Sequence, residues 1–509
     1  MFEALHELMN GFSVALQPEN LFFALCGCLI GMCLGVLPGV GQSTGIAILI
    51  PVTYFIAPAG AIIMLAAIFY GAMYGGTISA VLLNVPGESE AVATTFDGHP
   101  LARQGRAGAA LSIAAIGSFI GGVSATMVLV FFAKPLSKLA IAMGPPEYLL
   151  LMLLGLSLIV ALVGADKMKG LSMAAVGLVL AQIGLDPVQG VERLTFGDRD
   201  LLDGLPLLAV ILALFGLSDV FLQVAGGSRG DASDIQPLTS LYPTREDLRI
   251  SAAPIARGTV IGTLLGLIPG MIASMSSFTS YVVEKGVSKD KSRFGRGAME
   301  GVAGPETANN AFGNAAFIPL LTLGIPGSAA IAILLAAFKI YGLTPGPQLF
   351  REQPDIAWGL IASMLVGNAI LLILALPLVR IWVGLLRVPS YALVTAVLCL
   401  SIIGVYSQSG SIGDLYLLIG IGMVAAMLKS AGYPMAPAIL AFVLGSNIES
   451  ALRQTVTISD GDVVGVITRP GVLSIAGGVA VAVTLFMVWR HRRSSADAQL
   501  FRDSLVEED

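Results

Sequence analysis

Charge is what this sequence has least of. Only 12% of its 509 residues are Asp, Glu, Lys or Arg, against roughly 25% in an ordinary soluble chain. Lysine and arginine are absent before Arg103. Three histidines, His6, His99 and His491, lie scattered near segment ends. They exclude an HExxH zinc helix, and no nucleophile–base pair stands out, so an enzyme is not expected. The four cysteines (Cys26, Cys28, Cys33 and Cys399) all sit in apolar runs and read as small hydrophobes rather than metal ligands. No G-x-x-x-x-G-K-[ST] phosphate loop occurs, and the polar stretches are too short for a nucleotide-binding domain. Any transport must therefore draw on an ion gradient or on a separate ATPase. Long strands of alternating polarity are missing, which excludes an outer-membrane barrel. The first residues lack the basic segment and small-residue cleavage site of a signal peptide. Phe2, Leu5, Met9 and Phe12 recur at helical spacing there, so residues 1–20 are expected to form an amphipathic interfacial helix.

What fills the space is apolar: 56% of the chain is hydrophobic. Nearly uncharged runs such as Ala107–Ala133, Tyr148–Ala165, Leu205–Ala225, Ala357–Val379 and Pro470–Trp489 reach membrane-spanning length. At about 20 residues per span, the chain reads as an all-α polytopic membrane protein of about 10–12 transmembrane or half-spanning helices.

Two of the apolar segments are broken in the same way. "GVLPGVGQSTG" places Pro38-Gly39 in the middle of one, and "GLIPGMIASMSS" places Pro269-Gly270 in the other, 231 residues later. "LLNVPGE" (Leu82–Glu88) is echoed by "LTLGIPGS" (Leu321–Ser328), and "FDGHPLARQG" more faintly by "YGLTPGPQLF", in the same order. Loop charge orients the copies. Lys285, Lys289, Lys291, Arg293 and Arg296 follow the second break, whereas residues 54–65 after the first carry no charge. The next loops reverse this: Arg103 and Arg106 in the first half face Arg351 with Glu352 and Asp355 in the second. Basic loops stay cytoplasmic, so the halves read as inverted-topology repeats with broken helices. The division expected is an N-terminal amphipathic segment (1–20), a first repeat (21–225), a polar linker (226–252), a second repeat (253–469), a final helix (470–490) and a basic cytoplasmic tail (491–509).

A helix broken at membrane depth leaves backbone groups that lipid cannot satisfy. Its N-terminal N–H groups attract anions and its freed carbonyls attract cations. Two facing breaks therefore suggest one site. The substrate-binding candidates are Gly39, Gly41, Ser43 and Thr44 at the first break, with Gln42 between them. At the second break they are Gly270, Ser274, Ser276 and Ser277. Ion-binding candidates are Pro38, Asn84, Pro86, Asn309, Asn310 and Pro326, because an amide or freed carbonyl can hold Na⁺ without a charge to desolvate. Glu88 and Glu306 are candidate cation ligands or proton carriers; Glu90, Asp97 and Asn314 lie close by in sequence. Each hydroxyl also has an ordinary use in packing helices, and each carboxylate one at a helix start. An anion channel is the rival class, but an internally duplicated, half-broken chain suits alternating access better than a pore.

The series "GVLPGVGQSTGIAILIPVTY", "YGAMYGGTISAVLLNVPGE", "TTFDGHPLARQGRAGAAL", "FGRGAMEGVAGPETANNA", "IPLLTLGIPGSAA" and "GLTPGPQLF" resembles the large transmembrane subunit of the tripartite tricarboxylate transporters, the TctA family. By analogy, the resemblance implies a multi-pass subunit in the bacterial inner (cytoplasmic) membrane, with a small transmembrane partner of about four helices. It also implies a periplasmic solute-binding protein that delivers a carboxylate, Na⁺ as the coupling ion, no other cofactor and no nucleic acid. Proton coupling is the alternative. "PGMIAS" in place of a second Pro-Gly-x-Gly departs from strict symmetry.

Overall fold

A computed structural model describes residues 2–37, 41–162, 166–186, 189–226, 242–375, 377, 390–460, 462, 465, 466 and 468–473. Pro38, Gly39, most of the linker, most of the expected final helix and the tail lie outside the described residues. Helices account for nearly all regular structure. In the first half they are α1 (Phe2–Ala15), α2 (Pro18–Val36), α3 (Gln42–Thr53), α4 (Pro58–Leu83), α5 (Val92–Arg103), α6 (Ala107–Ala142), α7 (Pro145–Leu162) and α8 (Lys167–Leu180). A two-residue antiparallel pairing of Gly184–Leu185 with Glu192–Arg193 follows. Then α9 (Leu207–Ile211) runs through a π-helical stretch (Leu212–Leu217) into α10 (Ser218–Gly226). The second half holds α11 (Arg245–Gly266), α12 (Ala273–Val287), α13 (Glu300–Ala315), α14 (Phe317–Leu323), α15 (Ala329–Ile340), α16 (Pro347–Glu352) and α17 (Pro354–Ala375). The helices Ser390–Ser409, Ile412–Ser430 and Met435–Ile458 come last.

Among the described residues seven helices are long and apolar enough to cross a membrane, and four shorter apolar helices accompany them. Two compact units emerge. Residues 1–141 and 155–446 form the larger, which contains everything argued below; residues 142–154 and 447–509 form the smaller. In the smaller, Glu147 accepts the Gly144 N–H at 3.0 Å and Arg453 pairs with Glu449 one turn away.

Each half is built on a pair of helices in very close contact. Gly27, Gly31 and Gly35 recur every fourth residue on α2, and a Cβ at any of them would fall within 2.5 Å of a carbonyl oxygen on α4. Gly258, Gly262 and Gly266 repeat the stripe on α11 against Gly304, Ala308 and Phe312 of α13, within 2.6 Å. Small residues at i, i+4, i+8 let two backbones meet where lipid supplies no hydrophobic drive, and dispersion holds them.

Both halves then break alike. α4 stops at Asn84, in the left-handed region (φ 57°), two residues before Pro86-Gly87; α14 stops at left-handed Gly324 (φ 71°), two residues before Pro326-Gly327. The two breaks of the second half also support one another: the Gly270 N–H donates to the Gly327 carbonyl at 3.1 Å. Asp97 of α5 joins the halves. Its Oδ1 accepts from the N–H groups of Gly295, Gly297 and Ala298 at 2.8–2.9 Å, and its Oδ2 accepts from the Tyr281 hydroxyl at 2.9 Å.

The inverted orientation has a direct test. In a background lacking Cys26, Cys28, Cys33 and Cys399, a cysteine placed at exposed Ala57 should react with an impermeant thiol reagent on intact cells, and one at Lys289 should not. Labelling of both from the same side would sink the inversion.

Candidate functional site

A cavity of about 340 Å³ opens between residues that follow the Pro-Gly pairs of the two halves. Four short stretches supply most of its wall: Gly41–Ser43, Glu88–Glu90, Ile272–Ser274 and Ser328–Ala330. Each occupies the start of a helix. Gln42 begins α3, Ala273 begins α12 and Ala329 begins α15, while Ser89–Ala91 is a 3₁₀ turn feeding α5. The first turn of a helix has N–H groups with no intrahelical partner, and these carry the positive end of the macrodipole. No Lys, Arg or His lines the cavity among the described residues. Among the described residues, positive potential there comes from backbone N–H groups alone.

Glu88 and Glu90 bring the carboxylates. Both are at least nine-tenths buried. Glu88 Oε1 accepts the backbone N–H of Gln42 at the head of α3. The Gln42 side-chain amide donates to Glu90 Oε1 at 2.9 Å, and Ser89 Oγ donates to Glu90 Oε2 at 3.1 Å. Gln42 Oε1 has no hydrogen-bond partner among the described residues. A buried amide oxygen in that state is costly and marks room for a ligand.

The sequence candidates divide. Gly41, Ser43, Ser274 and Glu88 line the cavity. Thr44 turns away: its hydroxyl donates to the Phe215 carbonyl in the π-helical stretch at 2.9 Å and to Asp219 Oδ2 at 3.2 Å. Ser276 donates to the Ala308 carbonyl at 3.0 Å, inside the α12–α13 contact. Ser277 is buried with no partner among the described residues. Gly270 belongs to the backbone of the break rather than to the wall. Asn84 is exposed and serves as the left-handed end of α4; Pro86 and Pro326 lie in the turns after the two left-handed residues. Ser89, Ser328 and Ala330 join the wall without having been singled out, although Ser328 follows the second Pro-Gly as Glu88 follows the first.

Behind the wall lies a second polar cluster on α13. Glu306 accepts from Thr77 Oγ1 of α4 at 2.6 Å and from Thr94 Oγ1 of α5. Its Oε atoms have no cationic partner among the described residues. Asn309 follows one turn later, fully buried, and neither its Oδ1 nor its Nδ2 finds a partner among the described residues. Asn310 points elsewhere: its Nδ2 donates to Ser118 Oγ at 2.7 Å and to the Glu306 carbonyl at 3.1 Å. Asn314 continues that row, donating to the Asn310 carbonyl at 2.9 Å.

Spanning helices, paired breaks and a polar cavity between them define a membrane transporter architecture. The chain belongs to the Tripartite tricarboxylate transporter TctA family, whose family model matches residues 21–440. It is 40% identical over 495 residues, 97% of this chain and 98% of the relative, to the uncharacterized 52.8 kDa protein in the TAR-I ttuC' 3' region of Agrobacterium vitis. It is also 44% identical over 214 residues to the uncharacterized protein in the TAR-II ttuC' 3' region of the same organism, covering 42% of this chain and 88% of that one. No solved structure matches.

Proposed function

We propose that this chain is the membrane-embedded large subunit of a secondary active, Na⁺-coupled carboxylate importer. It works in the bacterial inner membrane with a small transmembrane subunit and takes its substrate from a periplasmic binding protein. The observation that carries the reading is the meeting of helix starts from both halves at one cavity that no basic side chain among the described residues lines. Backbone N–H groups and the hydroxyls of Ser43, Ser274 and Ser328 are donors for carboxylate oxygens, and they avoid the cost of fixing Lys or Arg at membrane depth, about 2.5–3.5 kcal/mol on insertion scales. Substrate and coupling ion share the site in this reading. Glu306 with Asn309 supplies a further set of oxygens for the ion.

Uptake of labelled citrate by the reconstituted complex is expected to require an inward Na⁺ gradient and no ATP. Full uptake with Na⁺ replaced by choline at constant pH would overturn Na⁺ coupling. It would favour proton coupling through Glu88 or Glu306, the second reading, supported by their having no basic partner among the described residues.

A further inference from the structure

The cavity wall repeats in backbone but not in chemistry. Gly41, Gln42 and Ser43 occupy the places that Ile272, Ala273 and Ser274 occupy in the other half, and Glu88, Ser89 and Glu90 those of Ser328, Ala329 and Ala330. Every ionisable or amide side chain on these four stretches therefore belongs to the first half. The second half offers methyl groups, an isoleucine and two hydroxyls.

The two sides are also in different hydrogen-bonding states. On the first side the N–H at the head of α3 is already taken by the Glu88 carboxylate. An incoming carboxylate there would have to displace Glu88 and then sit beside Glu90. On the second side α12 has no side-chain cap. Ser328 Oγ accepts the Ile331 N–H at 3.3 Å, which leaves its hydroxyl proton to give. Two carboxylates tied to one glutamine, with no basic side chain among the described residues bonded to either, repel each other in a buried place. Gln42 Oε1, on a residue 7% exposed, adds a third oxygen-bearing group and has no partner among the described residues. Carboxylate and amide oxygens suit a small hard cation.

We infer that the two walls divide the labour: Glu88, Glu90 and Gln42 Oε1 hold a small hard cation, Na⁺, while Ser274, Ser328 and the heads of α12 and α15 hold the substrate's carboxylate opposite it. This rests on the carboxylate-site reading above and replaces its symmetric use of both breaks. The cation neutralises the acidic wall that would otherwise repel the substrate. The substrate then raises cation affinity by the same factor as the cation raises substrate affinity.

The test uses the purified full chain and its thermal midpoint in NaCl, KCl or choline chloride at equal ionic strength, with and without citrate. A saturable rise with NaCl alone, absent with choline, is expected. Glu88→Gln combined with Glu90→Gln should lose it. Gln42→Ala should raise the half-saturating Na⁺ concentration by at least about tenfold, the scale of one hydrogen bond or ligand to a charged group. Ser274→Ala should keep the Na⁺ response without citrate and weaken citrate's own stabilisation by about tenfold. If the double variant does not fold, Gln42→Ala, which alters no carboxylate, decides the matter. An undiminished Na⁺ response in Gln42→Ala and the double variant, or an equal response to KCl, would overturn the assignment. Citrate without effect on the wild type, beside a Na⁺ response that still runs through Glu88 and Glu90, would remove the carboxylate reading and leave the cation wall standing.

Discussion

Gly262→Leu should fail to give folded protein. A Cβ at Gly262 lands on the Ala308 carbonyl oxygen and also meets the Ala311 methyl at 2.8 Å. The obstacle is backbone in the centre of a close helix pair, so no rotamer change relieves it. Overpacking a core usually costs about 1–3 kcal/mol, and a rigid carbonyl places this case at or above the upper end. Gly31→Leu, its counterpart against Ile68 of α4, should behave the same way. Gly286→Leu is the matched control. It is exposed near the end of α12 with nothing within 4 Å of the added Cβ, and Leu is the better helix former by about 1 kcal/mol. Size-exclusion profiles and thermal midpoints in detergent separate these outcomes. A monodisperse Gly262→Leu with a wild-type midpoint would mean the α11–α13 contact is not as close as described.

Filling the cavity should do the opposite, leaving the fold and removing transport. Ala329 begins α15 and lines the cavity beside Ser328. Ala329→Trp would put an indole into a space of about 340 Å³ and cover the N-terminal N–H groups. Citrate uptake per folded molecule should fall by more than the ten- to hundredfold expected for Ser274→Ala, which removes one neutral donor to a charged group worth about 1.5–3 kcal/mol. The thermal midpoint should stay within a few degrees of wild type, since the side chain enters empty space rather than a packed contact. Uptake at the wild-type rate would place the substrate's route elsewhere.

The all-helical membrane class and the paired breaks were legible because Pro-Gly punctuation inside an uncharged run has few other readings. Individual side chains were less so, and helical phase is the reason. Neighbours on a helix diverge by about 100°, so Ser43 and Thr44 point in different directions. Ser43 lines it and Thr44 bonds toward Phe215 and Asp219. The same geometry separates Ser274 from Ser276, which turns to the Ala308 carbonyl. Asn84 shows a different ambiguity. Asparagine is a cation ligand through its amide and a tolerated left-handed residue through its backbone, and the structure uses the second property. Its counterpart, Gly324, carried the clue, because glycine and asparagine share only that trait. Glu306 could be named from sequence, but Thr77 and Thr94 reach it from helices far away in the chain.

Asp97 has a consequence for movement. It sits on α5 in the first half, yet three of its four bonds run to the backbone of residues 295–298 in the second, the stretch that leads from α12 to α13. Those bonds join backbone and a short side chain, with little slack. A rearrangement that exposes the cavity to one side and then the other must carry α5 and this connector together. In a transporter that rocks between two access states, the seam would therefore not follow the boundary between the two halves of the chain: a piece of the first half would travel as cargo of the second.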